Sequence, residues 1–255
     1  MLHSACWILL ILQSSSPTTE ALRLWQKGQD ALLDNKEIQA IDCFEESLVL
    51  DPGLTKNYLS LAAVYLGRGE NELACRYLTL YMAANPRHIQ VREHYADLLH
   101  RMNRLLEAQH HYEQFIADIQ DDDELAQRHL IPAHSQLMQI AEKQRQSYQE
   151  HLHRGIGLFL LATRYANQKE WKGEESQEAL LCRAAGELRQ ARIYRPYEAR
   201  PCWYLYEVWS TLLQSLPAKR HLRLAHERSL QTSLTPMEHR SLRLAWEQAH
   251  SLFAK

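Results

Sequence analysis

The sequence predicts an all-α fold built from repeated helical hairpins, and three observations carry that prediction. Small, aromatic and proline residues recur every 34 positions: Gly28, Ala62 and Ala96; Ala40, Ala74 and Ala108; Phe44, Leu78 and Tyr112; Pro52 and Pro86. Glycine and proline number eight each in 255 residues, too few for a sandwich or barrel that turns every ~10 residues. Leu, Ala, Glu, Gln and Arg, all good helix formers, dominate the composition. A repeat of this length, with one small residue early, a second twelve later, an apolar residue four beyond and a closing proline, describes two antiparallel helices in close approach. Only small side chains let the two backbones come that near.

The elements follow in order. A first helix starts near Thr18 or Thr19, where a hydroxyl accepts a free backbone N–H and Glu20 suits the positive helix end. Leu24, Gly28, Ala31 and Leu32 keep its 3.6-residue rhythm. Asp34-Asn35-Lys36 turns the chain into a partner helix carrying Ala40, Phe44, Ser47 and Leu48, which stops before Asp51-Pro52-Gly53. The second hairpin runs from about Thr55 to Pro86 with Gly67 and Gly69 at its inner turn, and the third from about Ile89 to Gln120. Asp121-Asp122-Asp123-Glu124 is expected to start a further helix, because carboxylates favour the N-terminal end. Leu130–Gln149 and His151–Asn167 read as two more helices, the second strongly apolar, with an exposed turn over residues 168 to 176. From Glu178 the 34-residue spacing returns: Ala184 with Ala218, Leu188 with Leu222, Ala191 with Ala225. Thr235-Pro236-Met237-Glu238 reads as a capping box opening a last helix.

The repeat resembles the tetratricopeptide (TPR) repeat, whose signature is W-x2-L-G-x2-Y, A-x3-F, P. The second unit matches it best through Tyr58, Leu61, Ala62, Tyr65, Ala74, Leu78 and Pro86. The likeness covers residues 21 to 120 well and 176 to 230 loosely. It implies an α-solenoid of about five hairpins ending in a capping helix. The positions it assigns to packing are Gly28, Ala40, Phe44, Pro52, Ala62, Tyr65, Ala74, Pro86, Ala96, Ala108 and Tyr112. It further implies a concave groove lined by the first helix of each pair, which here presents Trp25, Gln29, Lys56, Leu59, Ala63, Glu93, Asp97 and Arg101. The family's clamp for C-terminal carboxylates is not expected, since Trp25, Gln29, Ser60, Ala63 and His94 replace most of its residues.

Charge divides the chain. Residues 1 to 128 hold 11 Lys/Arg against 19 Asp/Glu, a net of −8, and residues 129 to 255 hold 18 against 12, a net of +6. Such a gradient can steer a charged partner or bring opposite ends of two copies together. The five cysteines form no C-x-x-C pair, which points to neither a zinc ribbon nor a disulfide framework. The run Cys6-Trp7-Ile8-Leu9-Leu10-Ile11-Leu12 followed by Gln13-Ser14-Ser15-Ser16-Pro17 resembles the apolar and polar parts of a signal peptide without its positive start. Residues 1 to 16 are therefore read as a signal peptide or disordered start, with export to the periplasm or outside preferred over a cytoplasmic location. The run is too short to span a bilayer, which needs roughly 20 apolar residues.

No catalytic or cofactor motif is present. Gly155-x-Gly157 has Leu160 where a third glycine would stand, and there is no phosphate loop, nucleophile elbow or H-E-x-x-H. The pairs His110-His111 and His151/His153 are wrongly spaced to chelate one metal from a helix, so the histidines are expected to be titrating surface groups. Between Arg189 and Arg228, eight Lys/Arg against three Glu alternate with Tyr194, Tyr197, Trp203, Tyr204 and Trp209. These are the ingredients of a single-stranded nucleic-acid surface or of a site for an acidic protein, although such rings more often form core. The reading is thus a non-catalytic interaction or scaffold protein: residues 17 to 120 form three clear repeats and 121 to 255 degenerate repeats plus the cap. A peptide or partner helix is expected in the groove, with nucleic-acid binding by the basic half as the alternative.

Overall fold

In the computed structural model, the described residues are 17–119, 128–166, 176–232 and 234–251. Among them there are twelve α-helices and no strand. In chain order these are α1 Pro17–Leu33, α2 Glu37–Leu50, α3 Lys56–Gly67, α4 Asn71–Ala84, α5 Ile89–Arg101 and α6 Leu105–Asp118. They continue with α7 Leu130–Lys143, α8 Ser147–Ala166, α9 Gln177–Tyr194, α10 Ala199–Thr211, α11 Ser215–Ser229 and α12 Pro236–Ser251. The chain divides into two compact units, Met1–Val91 and Arg92–Lys255, so the boundary falls within α5.

Five hairpins share one turn. The pairs α1/α2, α3/α4, α5/α6, α7/α8 and α10/α11 each reverse through a single left-handed residue: Asn35 (φ 58°), Gly69 (φ 74°), Asn103 (φ 60°), Arg145 (φ 57°) and Leu213 (φ 56°). In each case the next residue's N–H returns to the carbonyl five positions back: Lys36 to Ala31 (2.8 Å), Glu70 to Tyr65 (2.9 Å), Arg104 to Leu99 (2.9 Å), Gln146 to Ala141 (2.8 Å) and Gln214 to Trp209 (2.8 Å). This closure satisfies carbonyls that a helix end would otherwise leave open. The first three turn residues are themselves 34 apart and are Asn or Gly, the types that tolerate positive φ most easily.

The fourth turn corrects the sequence-based expectation. In place of helices over Leu130–Gln149 and His151–Asn167, the reversal comes at residues 144 to 146, and Ser147 already begins α8. No glycine or asparagine marks the site, because Arg145 holds the left-handed conformation there. The helix expected to start at Asp121–Glu124 lies outside the described residues, as do residues 1 to 16 and all of the turn expected over residues 168 to 176 except Ser176, whose side chain caps α9.

The alanine and aromatic repeat positions lie where helix pairs press together, whereas the two prolines do not. Ala40, Ala74, Ala96 and Ala108 are 0 % exposed, Phe44 0 %, Ala62 and Tyr112 1 % and Tyr65 8 %. Pro52 and Pro86 are exposed in the turns that follow α2 and α4. A Cβ on Gly28 would stand 2.5 Å from Phe44 Cε1, so α1 and α2 approach as closely as a glycine allows.

The same contact recurs where the repeat is weakest. A Cβ on Gly155 of α8 would stand 2.7 Å from Leu188 Cγ and 3.2 Å from the Leu188 backbone nitrogen. Leu188 lies four residues after Ala184, as Phe44 lies four after Ala40. Helix α8 therefore serves twice, as second helix to α7 and as first helix to α9. At Glu150 and Arg154, five and nine residues past the turn, the clear repeats carry alanine and an apolar or aromatic residue. Here Arg154 pairs with Glu150 (2.7 Å) and faces Glu187 of α9 at 3.7 Å. In the second unit, Ile156 of α8 is buried in one core cluster with Leu181, Ala184, Leu188, Cys202, Leu205 and Val208.

Helix α12 opens with the expected capping box. Glu238 N–H donates to Thr235 Oγ1 (3.2 Å) and Thr235 N–H to Glu238 Oε2 (2.8 Å). The helix packs on α11 and reaches α6, with Leu242 2 % exposed. Trp246 stacks on His226 with ring centroids 3.9 Å apart. No helix among the described residues is long and apolar enough to cross a membrane.

Candidate functional site

In the first unit, one face of α1 and α3 brings partly exposed polar and aromatic side chains together. Ser60 Oγ accepts from Trp25 Nε1 (3.1 Å) and from Gln29 Nε2 (2.8 Å). Lys56 Nζ lies 3.5 Å from the centre of the Trp25 ring, a cation–π contact. Trp25, Gln29, Lys56, Leu59 and Ser60 are all partly exposed. Of the eight groove positions implied by the family resemblance, this brings Trp25, Gln29 and Lys56 together. Ala63 is exposed one turn beyond Leu59 on α3.

Beneath that face lies a polar chain that the repeat pattern does not announce. Ser47 donates to the Ala21 carbonyl (2.7 Å), and Asn57 Nδ2 donates to Ser47 Oγ (2.9 Å) and the Leu54 carbonyl (3.2 Å). Ser47 and Asn57 are both fully buried. Together they tie α1, α2 and the start of α3, which holds Lys56 and Ser60 in register with Trp25. An asparagine one residue after Lys56 in a helix's first turn is the signal the sequence offers for it.

In the second unit, two of the groove positions on α5, Glu93 and Asp97, are engaged internally. Glu93 is 5 % exposed and its Oε1 accepts from His129 Nδ1 at 2.9 Å. Burial pushes its carboxyl pKa up, against the pull of His129. Asp97 accepts the Tyr112 hydroxyl, and burial together with that acceptor raises the phenol's pKa. Arg101 is exposed.

The last hairpin shows a groove position with its acceptor in place. Arg200 Nε (2.7 Å) and the Tyr204 hydroxyl (2.9 Å), both on α10, converge on Glu238 Oε1 of α12. Glu238 is 3 % exposed, its other oxygen closing the capping box. Next to this ion pair, His134 and His153 face each other through their Nδ1 atoms at 2.9 Å, 1 % and 3 % exposed. One must donate and the other accept, so at least the accepting ring is neutral. Burial, then the Arg200 charge, brings the His153 pKa down to about 3, and burial with its neighbour holds His134 well below its ordinary value. The expectation of surface histidines is thus corrected at His134, His153 and His221, all of them buried. His151 instead pairs with Glu187 at 2.7 Å and stacks on Tyr194.

The basic, aromatic stretch is divided in the same way. Trp203 and Tyr204 are buried, and Tyr206 and Trp209 half-buried, while Tyr194 and Tyr197 are exposed. Arg189 lies 5.1 Å over the Trp209 ring and Arg228 Nη1 donates to Cys202 Sγ (2.7 Å). A cavity of about 350 Å³ opens beside Arg200, its walls including Tyr148, His153, Arg195 and Glu198.

The described helices therefore define an all-α protein of repeated helical hairpins that resemble tetratricopeptide repeats, with partly exposed polar and aromatic side chains on the first-helix face of its N-terminal unit. No protein-family model matches the chain, and no curated protein does. Solved structures are similar to it. A tetratricopeptide repeat protein from Parabacteroides merdae is 13 % identical, over 91 % of this chain and 87 % of its own, with a TM-score of 0.48. The type IV pilus biogenesis factor PilW is 15 % identical over 84 % and 95 %, with a TM-score of 0.40. YrrB, described as a TPR protein with an unusual peptide-binding site, is 13 % identical over 89 % and 92 %, with a TM-score of 0.37. None of these likenesses bears on what this chain binds.

Proposed function

We propose that the chain is a non-catalytic interaction protein that holds a peptide or helix of a partner protein against the first-helix face of its N-terminal unit. The observation that carries this reading is the Trp25–Gln29–Ser60–Lys56 cluster, fixed in geometry and partly exposed. A large ring held in place by a hydrogen bond gains contact area with little loss of side-chain entropy, which is what makes tryptophan a common anchor at interfaces. Leu59 extends the contact along α3. Glu93 and Asp97 act in this reading as supports that shape α5, since their carboxylates are held by His129 and Tyr112.

A protein partner is preferred over nucleic acid because Trp203 and Tyr204, two of the rings in the basic stretch, are buried and cannot stack on bases. The test is affinity capture after crosslinking in the native host with wild-type bait and Trp25→Ala bait. We expect a reproducible protein partner with the first and at least a tenfold loss with the second. Equal recovery with both baits would move the site elsewhere. Recovery of nucleic acid in a form released by modest salt would favour the alternative.

A further inference from the structure

The second unit contains a worked example of what the first-helix face can hold. Arg200 and Tyr204 stand 18 and 14 residues before Ala218, and Lys56 and Ser60 stand 18 and 14 before Ala74. The two pairs thus occupy the same repeat positions, one helical turn apart on the first helix of a hairpin. In the last hairpin the guanidinium and the hydroxyl meet on one oxygen of Glu238, contributed by the first turn of α12. In the second hairpin the donors are an ammonium and a hydroxyl. Among the described residues nothing accepts a hydrogen bond from Lys56 Nζ, and the Ser60 hydroxyl receives two hydrogen bonds while giving none.

We infer that Lys56 and Ser60 form a receptor for a carboxylate in the first turn of a partner helix, the role that Glu238 plays within the chain. The inference rests on the groove reading above and adds the chemistry of the occupant. A helix N-terminus delivers such a carboxylate readily, because acidic residues favour that end and the capping box orients the side chain. Trp25 closes one side of the receptor. Its ring face already attracts the Lys56 ammonium, and its edge offers apolar area to the partner's next turn. Two charge-assisted hydrogen bonds to a partly shielded carboxylate are strong enough to select acidic over amide side chains. Ser60 suits this role better than a longer side chain, since Trp25 Nε1 and Gln29 Nε2 occupy its lone pairs and leave only its proton to give.

The probe is a labelled synthetic peptide spanning residues 232 to 251, which contains the Thr235-Pro236-Met237-Glu238 start, titrated onto the full chain and read by fluorescence anisotropy. A second peptide carries Glu238→Gln. We expect saturable binding of the first peptide, weakened about tenfold or more by the glutamine peptide and by Lys56→Glu in the protein. Lys56 is partly exposed, and circular dichroism verifies that the variant keeps its fold. Loss of binding in Trp25→Ala without any effect of Lys56→Glu or of the glutamine peptide would keep the groove and overturn the carboxylate receptor. Binding indifferent to Trp25→Ala as well as to Lys56→Glu would instead remove the site from this face, as would displacement of α12 from α10. Failure of the acidic peptide to bind at millimolar concentration also overturns the inference.

Discussion

At the residue scale, two glycines and a pair of histidines set the terms. Gly28 and Gly155 each admit a facing side chain to within a distance no Cβ tolerates, so Gly28→Ala and Gly155→Ala are expected to destabilise their units by about 1–3 kcal/mol. Chemical denaturation checks this, and the Gly155 variant carries the larger effect because a backbone nitrogen stands behind Leu188. His134 and His153 are neutral when folded and take up protons once unfolded. Their folded pKa values lie below the ordinary 6.5, so their contribution is present above pH 6.5 and is lost as pH falls towards about 3. Urea midpoints measured from pH 7 to pH 4 should fall on this account. Glu207 acts in the opposite sense: burial raises its pKa to about 7, so its contribution is greatest below pH 4.5 and declines as pH rises through 7. Glu207→Gln should therefore stabilise the second unit at pH 8 and leave it little changed at pH 4.5.

At the scale of elements, the turn between paired helices is the recurring device, and its chemistry decides how much of the fold is legible in the sequence. Where Asn35, Gly69 and Asn103 hold the left-handed position, residue type and spacing alone announce the hairpin. Where Arg145 and Leu213 hold it, they do not, because tertiary packing imposes a conformation the side chain disfavours. Leu213 is 89 % exposed, so Leu213→Gly removes that strain at little cost in packing. The variant is expected to gain about 1 kcal/mol, seen as a rise of roughly 2–4 °C in melting temperature. The two-sided role of α8 is equally hidden. In the sequence Gly155 suggests only a dinucleotide motif that it does not complete, whereas its meaning lies in Leu188 across the interface. Of the proposed site, Trp25, Gln29 and Lys56 are reached through the family resemblance, which assigns them to the groove. The buried Ser47–Asn57 link and the carboxylate on Arg200 are not, since each joins residues whose proximity only folding creates.

At the scale of the whole molecule, repeated hairpins leave function to the faces they do not use for one another. The N-terminal unit keeps its tryptophan, lysine and serine open, whereas the second unit engages Glu93, Asp97 and Arg200 with its own residues. That division favours recognition by the first unit. Export of the chain is an expectation from the sequence, and the N-terminal residue of the mature protein in its native cell tests it: a start after residue 16 supports an extracytoplasmic partner, and an intact Met1 a cytosolic one. The most direct measurement is site-specific photocrosslinking in that cell, with a benzophenone amino acid at Leu59 on the proposed face or at Val49, 81 % exposed on α2. The account predicts one discrete protein adduct from position 59 and none from position 49. An adduct from 49 alone, or none from 59, would contradict it.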